Sequence, residues 1–170
     1  MKRTISASAV PSESVIAGAL AGADFYDCYQ MPLRNDQLSA LELYLRIVAI
    51  TPAWVNTLMA LRNRVVALVG LKNLGHLGAV SHTKPASAYR VGDRVGIFCL
   101  LHLSDDEIIL GDSDKHLDVK LSLCKQTLGQ HKYAALSTVV HIHNTLGRVY
   151  MFFVGPAHKI IAPATLARGL

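Results

Sequence analysis

The stretch DDEIILGDSDKHLDVKLS, residues 105–122, decides the fold class. Two runs of alternating apolar and polar residues flank a tight polar turn, a pattern that indicates a β-hairpin and not a helix. The apolar positions of the second run are Leu117, Val119, Leu121 and Leu123. The intervening positions, which point to the opposite face, are His116, Asp118, Lys120 and Ser122. The sequence therefore predicts a sheet with one apolar face and one face of titratable groups, and it names no reaction.

The first half of the chain combines one strand with helices. Residues 11–20 are predicted to form a short helix capped by Ser12, and residues 25–31 a first strand. Ser39 and Glu42 have the spacing of a capping box, and the helix that they begin runs up to Pro52.

A second helix is predicted directly after the first. Thr51 is its candidate cap and Pro52 its first residue. Its apolar residues repeat every three or four positions, and they are Trp54, Leu58, Leu61, Val65 and Leu68. We expect Trp54, Leu58 and Val65 to pack against the apolar face of the sheet.

The second half reads mainly as strands. The predicted strands are residues 95–103, 107–111, 116–124, 133–143 and 148–154. The last apolar segment, 157–166, is interrupted by prolines and is predicted to be a short or broken helix. Residues 71–93 form a long link. We expect this link either to serve as a lid or to hold an unrecognised strand near residues 86–90.

This order of elements predicts one α+β domain over residues 1–170. It is the order of a helix-grip fold, in which a curved antiparallel sheet of about six strands wraps helices and leaves an internal cavity.

Composition limits the partners of the chain. The 170 residues suit one domain, and 51% of them are apolar, yet charges interrupt every long apolar run, so we expect no membrane span. The apolar surplus favours an internal pocket, peripheral membrane contact or a homo-oligomer interface. The net charge of +5 is scattered along the chain, which argues against a nucleic-acid partner. Three widely spaced cysteines and the lack of a secretory leader pattern predict reduced thiols and a cytoplasmic location.

Four strings carry a resemblance to a known family. They are ADFYDCYQMPL at 23–33, TPAWVNTLMALRNRVVALVGLKNLGHLG at 51–78, DKHLD at 114–118 and VYMFFVGPAHKIIAP at 149–163. With these strings the chain resembles the bacterial family known as domain of unknown function 2867. The resemblance implies membership of the wider superfamily of polyketide cyclases, START lipid-transfer domains and the birch pollen allergen. That superfamily implies a helix-grip fold with a cavity, and the family has no agreed activity.

Histidines form the first candidate site. His141 and His143 are two residues apart on a strand and share a face, which is the spacing of paired metal ligands. The neighbouring strand would bring His116 and Asp118 close to them. If Leu117 and its alternate neighbours line the cavity, however, these polar groups face water. We therefore predict no metal site and no bound cofactor.

The predicted pocket residues come from four elements. Asp27 is a candidate buried acid on the first strand, next to Tyr26. Arg62 on the second helix is a candidate ligand for a carboxylate or phosphate head group, unless its side chain extends to water. The predicted apolar lining consists of Trp54, Leu58, Ile97, Leu117 and Val119.

Three functions fit this picture. The first is binding of a small apolar or amphipathic ligand in the cavity. The second is an enzyme of the cyclase or aromatase type that uses cavity His, Asp or Tyr residues as acid and base, with no catalytic residue assigned. The third, implied by the family resemblance, is an accessory domain that partners an oxidoreductase.

Overall fold

The computed structural model describes residues 5–33, 37–68, 70 and 84–169. Within these residues the chain is an α+β protein with an open, curved antiparallel sheet of seven strands and three α-helices. The strands are β1 (Ser6–Ala7), β2 (Phe25–Pro32), β3 (Arg94–Val95), β4 (Phe98–Leu103), β5 (Glu107–Ser113), β6 (Leu117–Leu128) and β7 (His131–Ile142). The helices are α1 (Ala40–Ala49), α2 (Ala53–Ala67) and α3 (Thr145–Gly169), and 3-10 turns cover Val15–Ala19 and Ala86–Ala88.

The strand order is β1-β2-β7-β6-β5-β4-β3. The hairpin predicted from residues 105–122 is confirmed, because β5 pairs antiparallel with β6 and places Leu110 opposite Leu121. About six strands were expected, and the sheet has seven. β1 and β3 have two residues each, which is too few for an alternating pattern to be recognised in the sequence.

Helix α1 covers the face of the sheet that carries the alternate apolar residues. Its predicted capping box is present: Ser39 Oγ accepts from the Glu42 amide at 3.3 Å, and a Glu42 carboxylate oxygen accepts from the Ser39 amide at 2.7 Å. The helix buries one side in a core shared with the central strands. The core members from these elements include Leu41, Tyr44, Ile47, Val48, Leu110, Leu123 and Leu136.

Helix α2 exists as predicted, but the face assigned to the sheet is wrong. Trp54 is 42% exposed, and Leu58 and Val65 are exposed as well. Among the apolar side chains of α2 that the structure describes, the buried one is Val55, at 0% exposure, and Met59 and Arg62 follow on the same side. Trp54 and Leu58 belong to one apolar row on this helix, and Val55 and Met59, each one position later, belong to another. Periodicity alone could not show which of the two rows faces the sheet. Thr51 does not cap α2; its hydroxyl donates to the Val48 carbonyl at the end of α1, at 2.7 Å.

Helix α3 corrects two predictions. Residues 148–154 are not a strand and residues 157–166 are not a separate broken helix, because one helix runs through both segments. It begins at Thr145, and the side-chain oxygen of the preceding Asn144 accepts from the Gly147 amide at 3.1 Å in the manner of an N-cap. Residues 144–147, which lie between two of the predicted strands, are therefore the start of a helix.

The two prolines inside α3 are tolerated because the carbonyl that each one leaves free can find another hydrogen-bond donor. Pro163 has no amide hydrogen to donate to the carbonyl of Lys159, one turn earlier. The Tyr29 hydroxyl on β2 donates to that carbonyl at 3.5 Å. The other proline, Pro156, lies on the exposed side of the helix, where water can serve the freed carbonyl. Packing of α3 on the sheet thus overrides the local proline signal.

The N-terminal segment covers the opposite face of the sheet. The predicted helix over residues 11–20 is a shorter 3-10 turn, and Ser14, not Ser12, caps it. Glu107 on β5 is buried beneath this segment and accepts from the Ser14 hydroxyl, from the Val15 amide at 2.9 Å and from the Ser122 hydroxyl at 2.7 Å. These bonds fix the segment to the sheet.

The remaining predictions concern the long link and membrane spans. Residues 71–83 lie outside the described residues, and the lid hypothesis is untested there. The strand considered near residues 86–90 is wrong, since Ala86–Ala88 is a 3-10 turn. In the described part of the chain no single helix is long and apolar enough to cross a membrane. The pair α1 and α2 passes that test by length and composition together, with a bend of 84° between them.

Candidate functional site

A pocket of about 210 Å³ lies between the sheet and the helices. It is bounded by the face of the sheet that carries the alternate apolar residues of β6 and β7, and by α1, α2 and α3. Most of its wall is apolar. The lining includes Ile47, Val48, Met59, Ile97, Phe98, Leu117, Val119, Leu121, Leu136, Val140, Met151, Val154 and Ile161.

Helix α3 contributes a regular row of side chains to the wall. Tyr150, Val154, His158 and Ile161 follow at intervals of four, four and three residues, which places them on one face of the helix. Tyr150 and His158 are separated by about 12 Å along the axis, because eight residues rise about 1.5 Å each. The pocket therefore has two polar groups with apolar wall between them.

The first polar group contains Asp27 and His158. Asp27 lies on the helix side of β2, and its Oδ2 is 2.8 Å from Nδ1 of His158. The ring of Phe25 contacts the His158 ring edge to face, with centroids 5.9 Å apart. Burial and the negative charge of Asp27 raise the pKa of Tyr29, the next residue on the same side of β2. Asp27 and His158 thus form a polar pair at the edge of an apolar wall.

Two polar atoms beside this pair have no hydrogen-bond partner among the described residues. They are Oδ1 of Asp27 and Oγ1 of Thr138, both buried. Asp27 and Thr138 are direct neighbours in the β2–β7 register, so their side chains share a face, and Thr138 lines the pocket. A buried polar atom without a partner destabilises the protein, so each unmet one is a candidate contact for a ligand.

The second polar group surrounds Tyr150. Its hydroxyl accepts from Nε of Arg62 at 3.2 Å, and the Arg62 guanidinium carbon lies 5.5 Å from the centre of the Tyr150 ring. The His116 ring packs edge to face on the same tyrosine, with centroids 5.2 Å apart. Asp112 and Asp114 line the wall here as well. Helix α2, helix α3 and the β5–β6 turn therefore meet at this group.

His116 is the most buried titratable residue of the second group, at 2% exposure. Burial lowers the pKa of His116, and the nearby Arg62 charge lowers it further, whereas the Asp114 carboxylate opposes the shift. Oδ2 of Asp114 is 3.5 Å from Nδ1 of His116, but neither ring nitrogen has a hydrogen-bond partner within the residues described. His116 is therefore neutral at neutral pH.

The structure brings only part of the predicted site together. Arg62, Ile97, Leu117 and Val119 line the pocket, and Asp27 reaches it through His158. The other predicted lining residues are elsewhere: Trp54 and Leu58 are exposed on the outer side of α2, and Tyr26 is exposed on the opposite face of the sheet from Asp27.

The predicted histidine patch does not form as a unit. His116 was expected to face water and is buried, because it lies in the turn before β6, where strand alternation does not apply. His141 contacts the Ala21 carbonyl at 3.2 Å, and His143 contacts Asp118 at 3.1 Å. Across the described ranges, no group of three or more His, Cys, Asp or Glu side chains has the arrangement of a metal site.

Sequence reasoning missed the residues that α3 supplies. Tyr150 was assigned to a strand and His158 to a broken helix, so their common face was hidden. The helical spacing of Tyr150, Val154, His158 and Ile161 was the available signal. The helix-breaking tendency of Pro156 and Pro163 received more weight than this spacing.

Comparison with known proteins identifies a family and no activity. No curated protein and no solved structure matches the chain. A family model described as "Protein of unknown function (DUF2867)" matches residues 19–165. That range includes every residue that lines the pocket. The resemblance seen in the sequence is confirmed, and the chain belongs to the DUF2867 family of proteins of unknown function.

Proposed function

We propose that this protein binds a small amphipathic molecule in the pocket between the sheet and the helices, in the manner of helix-grip proteins. The observation that carries the proposal is the composition of the pocket wall, which is apolar except for two polar groups. Ligand sites commonly combine an apolar lining with a few convergent polar side chains. The passage of α3 across the face of a curved antiparallel sheet supports the helix-grip arrangement.

The size of the pocket limits the ligand. At about 210 Å³ it exceeds the apolar cavities of about 150 Å³ that bind benzene, and it is smaller than most drug-sized sites, which begin near about 300 Å³. A molecule of roughly ten non-hydrogen atoms fits this range. Its apolar body would lie between the two polar groups, which are about 12 Å apart along α3.

The charges of the wall favour a neutral head group. Arg62 contributes one positive charge, Asp112 and Asp114 contribute two negative charges, and His116 is neutral. The sum does not favour an additional carboxylate or phosphate, which revises the anionic ligand inferred from Arg62 alone. A hydroxyl or carbonyl group can instead bond to the Tyr150 hydroxyl and to the ring nitrogens of His116.

Competition with a polarity-sensitive dye tests the proposal. We expect 1-octanol to displace the dye with micromolar affinity, a binding free energy of about 8 kcal/mol, and octanoate to bind more weakly. Val119→Trp, which fills the wall, should abolish displacement. Val91→Trp is the matched control, because Val91 is exposed outside the pocket and should leave binding unchanged. Failure of every apolar probe to bind the folded wild type would refute the proposal.

A further inference from the structure

We propose that His158, oriented by Asp27, is a general base that removes a proton from the molecule bound in the pocket. The inference rests on the proposed function, since it needs a ligand in the pocket. It adds a reaction class, proton transfer at a carbon acid, and assigns the catalytic residue and the residue that positions it.

The hydrogen bond between the two side chains fixes the tautomer of His158. A carboxylate oxygen can only accept, so Nδ1 of His158 must donate its hydrogen to Oδ2 of Asp27 at 2.8 Å. In the neutral ring the other nitrogen, Nε2, is then the one with a free lone pair. His158 lines the pocket, and among the described residues its ring makes one hydrogen bond, through Nδ1 to Asp27. The pair thus presents a base to the ligand.

The surroundings place a negative charge beside the imidazolium that the reaction forms. Asp27 is a carboxylate whose side chain is only 10% exposed, and its second oxygen has no partner among the described residues. An imidazolium on His158 supplies the opposite charge at hydrogen-bonding distance. The edge of Phe25 and the apolar wall limit contact with water, since the His158 side chain is only 23% exposed, and this strengthens the attraction. Asp27 is therefore a positioning residue that also stabilises the imidazolium.

The step is balanced without a further reactant. Nε2 of His158 takes a proton from a carbon next to a ligand carbonyl, and the electron pair of the broken C–H bond moves to form an enolate. The unpartnered hydroxyl of Thr138 is placed on the same wall to donate to the enolate oxygen. When the ligand is a β,γ-unsaturated carbonyl compound the enolate is a dienolate, and return of the proton from His158 to its γ carbon gives the α,β-unsaturated isomer and regenerates the neutral imidazole.

A small apolar carbon acid, 5-nitrobenzisoxazole, tests the base directly. Removal of its ring proton forms a nitrile as the N–O bond breaks, and the electron pair ends on a coloured phenolate. We expect saturable turnover with a pH profile that shows one ionisation. His158→Gln should lower kcat by about 100-fold or more and remove that ionisation. Asp27→Asn should lower kcat by at least about 10-fold by disturbing the tautomer.

The chain contains a matched control. His143 bonds to Asp118 at 3.1 Å, but this second pair lies outside the pocket. His143→Gln should leave turnover unchanged. Equal rates for wild type and His158→Gln, in proteins that both bind the probe by dye displacement, would overturn the inference and leave the proposed function standing. If no apolar probe binds the folded wild type, both are wrong.

A second inference concerns the outer surface of α2 and α3 and does not depend on the pocket. Exposed apolar side chains follow one side of each helix, and the Arg62–Tyr150 contact joins the two helices. Phe152 is 75% exposed. We name this set the outer apolar surface; its members are Trp54, Leu58, Leu61, Val65, Phe152, Phe153 and Ile160.

The charges of the two helices favour an anionic partner for this surface. None of the twelve Asp and Glu residues of the chain lies in α2 or α3. Arg64, Arg148 and Lys159 are exposed on these helices. We propose that the outer apolar surface docks on an anionic lipid bilayer, with its aromatic and aliphatic side chains in the interface and the cations on lipid phosphates. A symmetric contact with a second copy would instead bring cations of the same surface together.

Vesicle sedimentation tests this docking. We expect the protein to sediment with phosphatidylglycerol-containing vesicles, to bind pure phosphatidylcholine at least 10-fold more weakly, and to be released by salt. The double variant Phe152→Ser, Phe153→Ser should lose at least 10-fold in binding, and Val91→Ser, which removes an exposed valine elsewhere, should lose none. Equal binding to both vesicle types, no binding, or a dimer that the double variant dissociates would overturn the inference.

Discussion

Two valines on α2 provide a sharp test of how this helix is oriented. Val55 is 0% exposed and Val65 is 55% exposed. The orientation matters for the site, because Arg62 is seven residues after Val55, nearly two full turns, and therefore shares its side of the helix. If Val55 faces the protein, Arg62 faces the pocket.

The expected cost of Val55→Ala follows from the buried carbons that are lost. Two methyl groups at about 0.8 kcal/mol each, together with a small cavity, give about 2 to 3 kcal/mol. The same change at Val65 falls within the surface range of about 0.5 kcal/mol. Both variants gain about 0.5 kcal/mol in helix propensity, so this gain cancels in the comparison. We expect Val55→Ala to be about 2 kcal/mol less stable than Val65→Ala.

Urea unfolding of the two variants measures the difference. Comparable m-values would show that the variants unfold from the same compact state, and the midpoints would then report stability. A loss at Val65 equal to or larger than that at Val55 would refute this orientation of α2. It would place Trp54, Leu58 and Val65 against the sheet, as first predicted from the sequence, and would remove Arg62 from the pocket.

Three further outcomes follow from single contacts. Burial lowers the pKa of His116, so the stability that its neutral form contributes is complete above the unfolded pKa of about 6.5 and is lost as the pH falls toward the lower folded pKa. His116→Asn should therefore reduce the loss of unfolding free energy between pH 7.5 and pH 5. An unchanged pH dependence in this variant would contradict the assignment. Glu107→Gln should lower the free energy of unfolding by about 2 to 3 kcal/mol, since one amide oxygen cannot replace a carboxylate that accepts three hydrogen bonds. Limited proteolysis of this variant should then cleave near the Val15–Ala19 turn. Gly147→Ala should destabilise by about 1 to 3 kcal/mol, because its Cβ would lie 2.2 Å from the His116 carbonyl oxygen, whereas Gly18→Ala meets open space and should be nearly neutral by thermal unfolding.

The parts of the fold that sequence predicted are those with strong local signals. The β5–β6 hairpin has strict alternation around a polar turn, and α1 begins at a capping box formed by Ser39 and Glu42. In both cases the side chains that set the pattern also make the contacts that fix the element, so local and tertiary preferences agree.

The parts that failed depend on contacts between distant segments. Pro163 signals a helix end, yet the Tyr29 hydroxyl, far away in sequence, serves the carbonyl that this proline leaves free. The same error hid His158 and its bond to Asp27, which joins residues 131 positions apart. The buried position of His116 depends on how the β5–β6 turn meets α3 at Gly147. Such pairings cannot be read from spacing along one element.

Methyl NMR during titration with 1-octanol tests the central claim most directly, because it shows where an amphipathic molecule binds. We expect saturable shifts, with intermolecular NOEs, at the pocket methyls of Val119, Val154 and Ile161. Shifts confined to the exposed methyls of Leu61 and Val65 would mean that the ligand only adheres to the outer apolar surface, and that result would contradict a ligand site between the sheet and the helices.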